Sequence, residues 1–307
     1  MTTKPFVSSK SHPARKKLWL AAIKPPMYSV AVMPIWVGSA IAYGLTGSLN
    51  LQIFLLFTLS AILILAWENL SNDVFDAATG VDVNKHHSLV NLTGNRPLIF
   101  WIGNLCLIAG LVGVGAIALA QQDFTVVGLI LLCCGLGYLY QGPPFRLGYR
   151  GLGEILCFFA FGPLAFAAVY YSQTKTWSGI SLIASVVVGI TTSLVLFCSH
   201  FHQVKDDATV GKRSPIVRLG THRSAQLLPW VCGSIYALTL LGVGLKLFPV
   251  ATLLIFLSAP SAYRLCRHAL MHHDKPEKVF NCKFFAVGLH FWSGLFFGLG
   301  FLFAGLG

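Results

Sequence analysis

The chain has 307 residues, of which 55% are apolar and only 10% are charged, whereas a soluble domain has about 25% charged residues. Its 22 basic and 10 acidic side chains give a net charge of +12, but they are scattered between apolar stretches and form no continuous basic patch. This composition excludes a soluble globular protein, a disordered chain and a secreted disulfide scaffold. We expect a lipid bilayer as the surroundings and no nucleic acid as a partner.

Hydropathy divides the sequence into nine apolar segments, each near the length of about 20 residues with which a helix crosses the hydrocarbon core. They are predicted at 27–45, 51–72, 98–120, 124–140, 155–172, 178–199, 226–245, 249–263 and 284–305. The predicted fold is an all-α, polytopic membrane protein with about nine transmembrane helices. A polar, basic segment at 1–24 precedes the transmembrane domain at 25–307, and we expect the first span to direct insertion because no signal-peptide core precedes it.

The charged residues are distributed unevenly between the two ends of these spans. With the N-terminus in the cytoplasm, 20 of the 22 basic residues fall on the cytoplasmic side, and only Lys175 and Lys246 fall opposite. This asymmetry follows the positive-inside rule and predicts the orientation. All acidic residues except Asp123 also fall on the cytoplasmic side, although carboxylates contribute little to topology. Their concentration there therefore indicates another purpose.

Two of the acidic segments resemble each other. A shift of 131 residues superimposes four polar or glycine positions of one on the other: Asn69, Asn72, Asp76 and Gly80 on His200, Gln203, Asp207 and Gly211. The first segment follows the second span and the other follows the sixth, so four spans separate equivalent positions. We therefore expect a duplicated four-helix unit, at 25–150 and 151–265, with one added helix.

The first acidic segment is predicted to continue the second span as a helix. Four of its polar residues have the spacing of one helix face, so their amide and carboxylate groups project together. They are Asn69, Asn72, Asp73 and Asp76. Gly80 is expected to end the helix, and Asp82 follows in the loop. Since Mg²⁺ commonly binds one or two carboxylates together with substrate phosphates and water, this segment suits a diphosphate-bound Mg²⁺.

The second acidic segment combines oxygen ligands with cations. Gln203 and Asp207 share a helix face, Asp206 precedes Asp207, and Lys212 and Arg213 follow the glycine. Basic side chains of this kind bind phosphate. A solvated cytoplasmic loop is the alternative for either segment alone. The equivalent depths of the two segments, partly inside apolar helices where charge is costly, favour a functional site.

A third polar segment, at 138–154, lies between the two and is rich in glycine and proline, which break a helix near membrane depth. Arg146 is placed to reach a diphosphate, and Tyr138 and Tyr140 are candidates to face an allylic cation. An ordinary interfacial turn explains Tyr149 and Arg150 equally well. Elsewhere, five histidines are interpreted as loop residues and the eight cysteines as small apolar side chains, because neither group has metal-ligand spacing. These histidines are His86, His87, His268, His272 and His273.

Together these motifs resemble the UbiA-type intramembrane aromatic prenyltransferases. The resemblance rests on the two acidic segments, with Asn72-Asp73, Asp76, Gly80 and Asp82 in one and Asp207, Gly211 and Lys212 in the other. Within that family, four strings are similar to the 1,4-dihydroxy-2-naphthoate branch, and the last is most similar to its phytyl-transferring members in cyanobacteria and plastids. They are Leu92-Thr93-Gly94-x-Arg96, Tyr140-x-Gly142-Pro143, Tyr149-x-Gly151-Leu152-Gly153-Glu154 and the stretch 202–215.

The resemblance implies nine helices around a central cavity, with Mg²⁺ holding an isoprenyl diphosphate against two Asp-rich motifs. The implied catalytic residues are Asp73, Asp76 and Asp207. The implied metal ligands are Asn72, Asp73, Asp76, Asp82, Gln203, Asp206 and Asp207. The implied diphosphate-binding residues are Asn69, Asn72, Arg146, Lys212 and Arg213. The sequence departs from the wider family at Gln203, where many members carry an aspartate, so Asp206 or the amide oxygen of Gln203 is expected to replace that ligand.

By the same resemblance, the substrates are phytyl diphosphate and 1,4-dihydroxy-2-naphthoate, which react with loss of CO₂ and pyrophosphate on the cytoplasmic face of a cytoplasmic or thylakoid membrane. Another aromatic acceptor, such as homogentisate, 4-hydroxybenzoate or a chlorophyllide, is the nearer alternative. A transporter is the more distant one, because intramembrane acids and duplicated helices also occur in transporters. Acids at helix ends beside basic loops favour the diphosphate.

Overall fold

The computed structural model of the protein describes Trp19 and residues 25–80 and 88–305. These residues form helices and turns and contain no strand, which confirms the predicted all-α fold. Apart from Trp19, the predicted N-terminal segment at 1–24 lies outside the described residues.

The described α-helices follow one another along the chain with short connections. They are α1 Ser29–Thr46, α2 Leu51–Thr79, α3 Leu89–Thr93, α4 Arg96–Gln121, α5 Thr125–Gln141, α6 Gly153–Phe159, α7 Ala165–Thr174, α8 Gly179–Ser199, α9 Val204–Thr209, α10 Pro215–Leu219, α11 Thr221–Gly244, α12 Ala259–His272, α13 Pro276–Val279 and α14 Cys282–Ala304. A π-helical segment, Ala160–Leu164, joins α6 to α7. Short 3-10 segments lie at Pro25–Tyr28, Leu147–Arg150, Phe201–Gln203 and Val250–Ser258.

Seven helical segments of the described chain are long and apolar enough to cross a membrane, and α5 is a shorter apolar helix. The seven are Pro25–Thr46, Leu51–Thr79, Arg96–Gln121, Gly153–Thr174, Gly179–Thr209, Thr221–Gly244 and Pro276–Ala304. The eighth predicted span, 249–263, forms the 3-10 segment Val250–Ser258 and the first part of α12. The number of nine crossings therefore stays a prediction.

Close helix packing in the bundle depends on small residues. Gly298 of α14 lies against the indole of Trp36 in α1, where a β-carbon would overlap the ring. The Trp36 indole N–H in turn donates to the carbonyl of Leu295 at 3.3 Å. Gly110 of α4 lies against the Ser60 carbonyl of α2 in the same way. Small residues drive such packing in a bilayer because lipid tails are as apolar as leucine, and helices associate through close contact.

The two acidic segments end in different ways. The first is carried by α2, which continues for 29 residues without a break and ends at Gly80 with φ +79°, as predicted. In the second, α8 ends at Ser199, and the 3-10 segment and α9 carry the polar residues. Gly211, the equivalent of Gly80, also has a positive φ, +75°. A side chain with a β-carbon is strained in this conformation, which explains glycine at both positions.

The orientation of the bundle gives a first testable prediction. We expect reporters fused at residue 210 and at the C-terminus to lie on opposite sides of the membrane, with residue 210 in the cytoplasm, because the basic residues are concentrated on that side. Alkaline phosphatase and green fluorescent protein fusions measure this. If both reporters lie on the same side, the nine-span arrangement is wrong.

Candidate active site

A central cavity of about 360 Å³ opens between the helices. Most of its wall is apolar, with Ile35, Phe57, Phe161 and Val195 among the lining side chains. Its polar lining includes five side chains that we call the rim: Asn69, Asn72, Asp76, Gln203 and Lys212. All five belong to the two acidic segments, so the fold brings together groups that lie more than 120 residues apart in the sequence.

The first acidic segment contributes three residues to the rim, Asn69, Asn72 and Asp76. Asp73 is directed elsewhere: its Oδ2 accepts a hydrogen bond from the backbone N–H of Leu89 at 2.9 Å, and the residue is 1% exposed. Its carboxylate therefore fastens the start of α3 to α2. Asp82 lies outside the described residues.

In the second segment, Gln203 and Lys212 line the cavity, while Asp207 lies fully buried behind Lys212. The Lys212 Nζ atom is 3.2 Å from Asp207 Oδ1. Apart from this ion pair, neither carboxylate oxygen of Asp207 has a hydrogen-bond donor in the described part of the chain. A buried carboxylate that is paired with a single ammonium group still has unused acceptors, which suit a metal cation, because a buried polar group without a full set of partners is costly. Asp206 and Arg213 do not line the cavity.

Tyr149 connects the two acidic segments. Its hydroxyl donates to Asp76 Oδ1 at 2.9 Å and lies 2.7 Å from Thr79 Oγ1. Its carbonyl accepts the backbone N–H of Arg213 at 2.7 Å, and Lys212 Nζ lies 5.6 Å from the centre of its ring. Burial raises the pKa of the Tyr149 hydroxyl well above its usual value, so the hydroxyl remains a donor. In the sequence, an ordinary turn explained Tyr149 equally well.

The other residues of the 138–154 segment differ in their position. Tyr140 lines the cavity, and its ring packs against Gly148 and Gly153. Tyr138 does not line the cavity, and its hydroxyl donates to the carbonyl of Pro143 at 2.7 Å. The Arg146 guanidinium lies 6.0 Å from the centre of the Tyr149 ring, close to the rim without lining the cavity.

The sequence analysis assigns no role to several polar residues of the cavity, among them Glu68, Gln141 and His200. His200 is 2% exposed, and its Nδ1 lies 3.3 Å from Glu154 Oε1. The 131-residue shift had superimposed His200 on Asn69, so the sequence carried a signal for this position. Glu68 lies four residues before Asn72, on the same face of α2, and this spacing was an available signal too.

The donor set fits a Mg²⁺ ion that is shared with a substrate. In the described part of the chain, no group of three or more His, Cys, Asp or Glu side chains forms a metal site by itself. The amide and carboxylate oxygens of Asn72, Asp76 and Gln203 nevertheless face one cavity, with Asp207 behind. Such a set is typical of Mg²⁺ that is bound through one or two carboxylates and completed by phosphate and water.

The position of Tyr149 leads to a second prediction. Tyr149→Phe removes the hydroxyl that donates to Asp76, and a lost hydrogen bond to a charged group costs about 1.5–3 kcal/mol. We therefore expect kcat at saturating Mg²⁺ to fall roughly tenfold or more, and the Mg²⁺ concentration for half-maximal activity to rise. Titrating activity with Mg²⁺ measures this. Tyr263→Phe is the matched control, because Tyr263 is 65% exposed on α12. An unchanged Mg²⁺ titration curve would show that Asp76 does not need this hydrogen bond.

Known proteins are similar to this chain in sequence and in fold. Residues 31–295 match the model of the UbiA prenyltransferase family. The chain is 56% identical over 307 residues to the 2-carboxy-1,4-naphthoquinone phytyltransferase of Synechocystis sp., with 100% of both chains covered. It is 44% identical over 304 residues to the chloroplastic 2-carboxy-1,4-naphthoquinone phytyltransferase of Arabidopsis thaliana, covering 95% of this chain and 78% of the plant protein.

The fold has a counterpart among solved structures. A UbiA homolog from Archaeoglobus fulgidus, bound to DMAPP and Mg²⁺, superimposes with a TM-score of 0.58 at 16% identity, covering 92% of this chain and 98% of the other. These comparisons confirm the resemblance drawn from the two acidic segments. The chain belongs to the UbiA prenyltransferase family, and it is an integral membrane enzyme.

Proposed function

We propose that this enzyme transfers a phytyl group from phytyl diphosphate to 1,4-dihydroxy-2-naphthoate, with loss of CO₂ and pyrophosphate, in the biosynthesis of phylloquinone or menaquinone. The observation that carries the proposal is a cavity with an apolar wall, on which acidic, amide and basic side chains converge at the rim. The naphthoquinone phytyltransferases that align with the chain over 95–100% of its length support the choice of both substrates.

The rim suits the diphosphate of the donor. Asn69, Asn72 and Gln203 offer amide groups, and Lys212 offers a cation whose charge is balanced by Asp207 in the free protein. When Mg²⁺ is bound, it neutralises the charge that develops on the departing pyrophosphate. Asp76 and Asp207 are the carboxylates that would hold it, and Tyr149 keeps Asp76 oriented. We assign Arg146 and Arg213 a long-range electrostatic role at the same end.

The apolar wall suits the rest of the donor and protects the reaction. An allylic cation forms as pyrophosphate leaves, and water would capture it, so a dry cavity is needed. Tyr140 lines that cavity and presents an aromatic side chain to the cation. Because the cavity lies inside a membrane bundle, the lipid-like chain is able to enter from the bilayer. We place the rim on the cytoplasmic face of a cytoplasmic or thylakoid membrane, since the basic residues concentrate at that end.

A comparison of donors tests the function and forms the third prediction. With dihydroxynaphthoate as the acceptor, we expect a higher kcat/KM for phytyl diphosphate than for solanesyl diphosphate, and similar use of geranylgeranyl diphosphate, whose carbon count is the same. Purified enzyme in nanodiscs and chromatography of the quinone products measure this. Homogentisate and 4-hydroxybenzoate serve as competing acceptors in the same assay. A clear advantage for solanesyl diphosphate would contradict the assignment of the donor. Preferred transfer to a different aromatic acceptor would contradict the assignment of the acceptor.

A further inference from the structure

Glu68 is an acid of the cavity that the diphosphate chemistry does not use. It lies on α2 one helical turn before Asn72, and therefore about 6 Å farther from the cytoplasmic end along the helix axis. Its half-buried side chain lines the cavity together with Tyr140 and Gln141. The diphosphate lies at the rim in the proposed function, so Glu68 is at the depth of the carbon atom from which the diphosphate departs.

The fold makes space for the Glu68 carboxyl group at one position of α5. A β-carbon at Gly137 would overlap Glu68 Oε1, so only glycine allows the carboxyl group its present position. Gln141, one turn farther along α5, donates its side-chain amide to the Glu68 carbonyl at 3.0 Å and lies 3.5 Å from Glu68 Oε2. The Glu68 carboxyl group therefore lies against Gly137 and Gln141 of α5.

The Glu68 carboxyl group has no counter-ion among the described residues. In the described part of the chain, Glu68 forms no ion pair, and the long contact with Gln141 is its one side-chain hydrogen bond. Most of the other side chains around it are apolar. A buried polar group that lacks a full set of partners is costly, and an intramembrane acid that faces a cavity indicates a function. A ligand with a hydroxyl group would supply the missing donor.

We propose that Glu68 is a catalytic residue that accepts the hydroxyl hydrogen of the aromatic acceptor, and that Gly137 and Gln141 position its carboxyl group. This inference rests on the proposed function, which places a dihydroxy aromatic acid in the cavity. The Glu68 carboxylate accepts a hydrogen bond from the acceptor hydroxyl, which places the aromatic ring next to the rim. It takes the hydroxyl proton as the ring carbon attacks the prenyl chain. A general base that is positioned within hydrogen-bond reach of the proton accelerates a reaction by about 10²–10⁴-fold.

In the proposed reaction, Glu68 takes a proton from the acceptor during prenyl transfer and returns it after CO₂ is lost. The ring carbon that bears the carboxylate forms a bond to the first carbon of the prenyl chain, while the bond from that carbon to oxygen breaks and pyrophosphate keeps the electron pair. The hydroxyl on the neighbouring ring carbon gives its proton to Glu68 and becomes a carbonyl. When CO₂ leaves, its bonding electrons return to the ring, and the oxygen takes the proton back from Glu68. The product is the prenylated hydroquinone, and Glu68 ends as it began.

The first experiment compares Glu68→Gln with the wild type on two acceptors, dihydroxynaphthoate and the analogue in which the hydroxyl next to the carboxylate-bearing carbon is a methyl ether. We expect kcat/KM for dihydroxynaphthoate to fall roughly 10²-fold in the variant, because the amide accepts no proton. The preference for dihydroxynaphthoate over the ether is expected to fall by a similar factor, while the KM for the donor remains unchanged. Glu277→Gln, an exposed substitution of the same kind on α13, is the control.

The second experiment moves the carboxyl group without removing it. Gly137→Ala forces Glu68 out of its position, whereas Gly135→Ala, on the same helix, has no neighbour within 4 Å and serves as the control. We expect Gly137→Ala to lower kcat/KM for the acceptor and Gly135→Ala to leave it unchanged. The double variant Glu68→Gln, Gly137→Ala is expected to be no slower than Glu68→Gln alone, because both changes remove one interaction.

The outcomes separate this inference from the proposed function. If the wild type prenylates dihydroxynaphthoate but Glu68→Gln retains its rate and its preference over the ether, the role of Glu68 is wrong and the function stands. If the effects of Glu68→Gln and Gly137→Ala add in the double variant, and the preference for dihydroxynaphthoate over the ether is intact, Glu68 has a structural role and the inference is likewise wrong. If the wild type itself does not use dihydroxynaphthoate, the proposed function is wrong.

Discussion

Asp76→Asn and Asp207→Asn are each expected to lower turnover by about 10²-fold or more, because in the proposed function each carboxylate would supply a negative charge that holds Mg²⁺ beside the departing pyrophosphate. Asp76 lines the rim and receives the Tyr149 hydroxyl at 2.9 Å. Asp207 is fully buried, and apart from the Lys212 ion pair its oxygens have no hydrogen-bond donor in the described part of the chain. An amide of the same size preserves the packing, so the variants test the charge. Initial rates at several Mg²⁺ concentrations measure the effect.

Asp274→Asn is the matched control, since Asp274 is exposed between α12 and α13. The amount of each variant in the membrane fraction shows that insertion is unchanged. Gln203→Ala is expected to have a smaller effect than either aspartate variant, because the proposed ligand that it removes is neutral. Near-normal activity of Asp76→Asn at limiting Mg²⁺ would contradict the assignment of the metal to the rim.

Lys212→Met is expected to destabilise the free protein by about 3–5 kcal/mol, because it leaves a buried carboxylate without its partner. Lys212 is 6% exposed and Asp207 is fully buried, and their charged atoms lie 3.2 Å apart. Exposed ion pairs contribute far less to the free energy of unfolding because solvent screens them, whereas this pair is buried. Thermal unfolding in detergent, with chelator present, measures the change. Lys205→Met, an exposed substitution in the same segment, is expected to leave the melting temperature nearly unchanged.

A double variant shows the origin of the loss. Adding Asp207→Asn to Lys212→Met removes the unpaired charge, so we expect the double variant to be more stable than Lys212→Met alone, although it remains inactive. Equal stability of the two would show that Lys212 stabilises the protein through packing and not through the Asp207 charge.

The sequence predicts a large part of the candidate site, because helix geometry relates spacing to position. Asn69, Asn72 and Asp76 share a face at helical spacing, and all three line the cavity. Asp73 belongs to the same predicted face, but its carboxylate binds the Leu89 amide. Position 73 is one residue away from 72 on the helix, about 100° around the axis, and α3 packs on that side. The sequence does not specify on which side of α2 the short helix α3 packs.

The two glycine-ended acidic segments also show the limit of the repeat. Gly80 and Gly211 have the same left-handed backbone, as the 131-residue shift indicates. The helix that carries the second segment nevertheless breaks after Ser199, while the helix that carries the first continues to Thr79. Asp207 therefore lies behind Lys212, whereas Asp76 faces the cavity. Whether the whole chain is a duplicated four-helix unit stays a prediction.

By itself, the sequence determined the membrane environment, the all-α fold, the two acidic segments and the family, because hydropathy and local spacing are properties of neighbouring residues. Only the tertiary structure decided that Tyr149 joins Asp76 to the second segment and that Lys212 pairs with Asp207. It also decided that Gly137 makes space for Glu68. These contacts join residues of different helices, and their geometry depends on the angle and depth at which the helices pack, which no spacing along one chain segment contains.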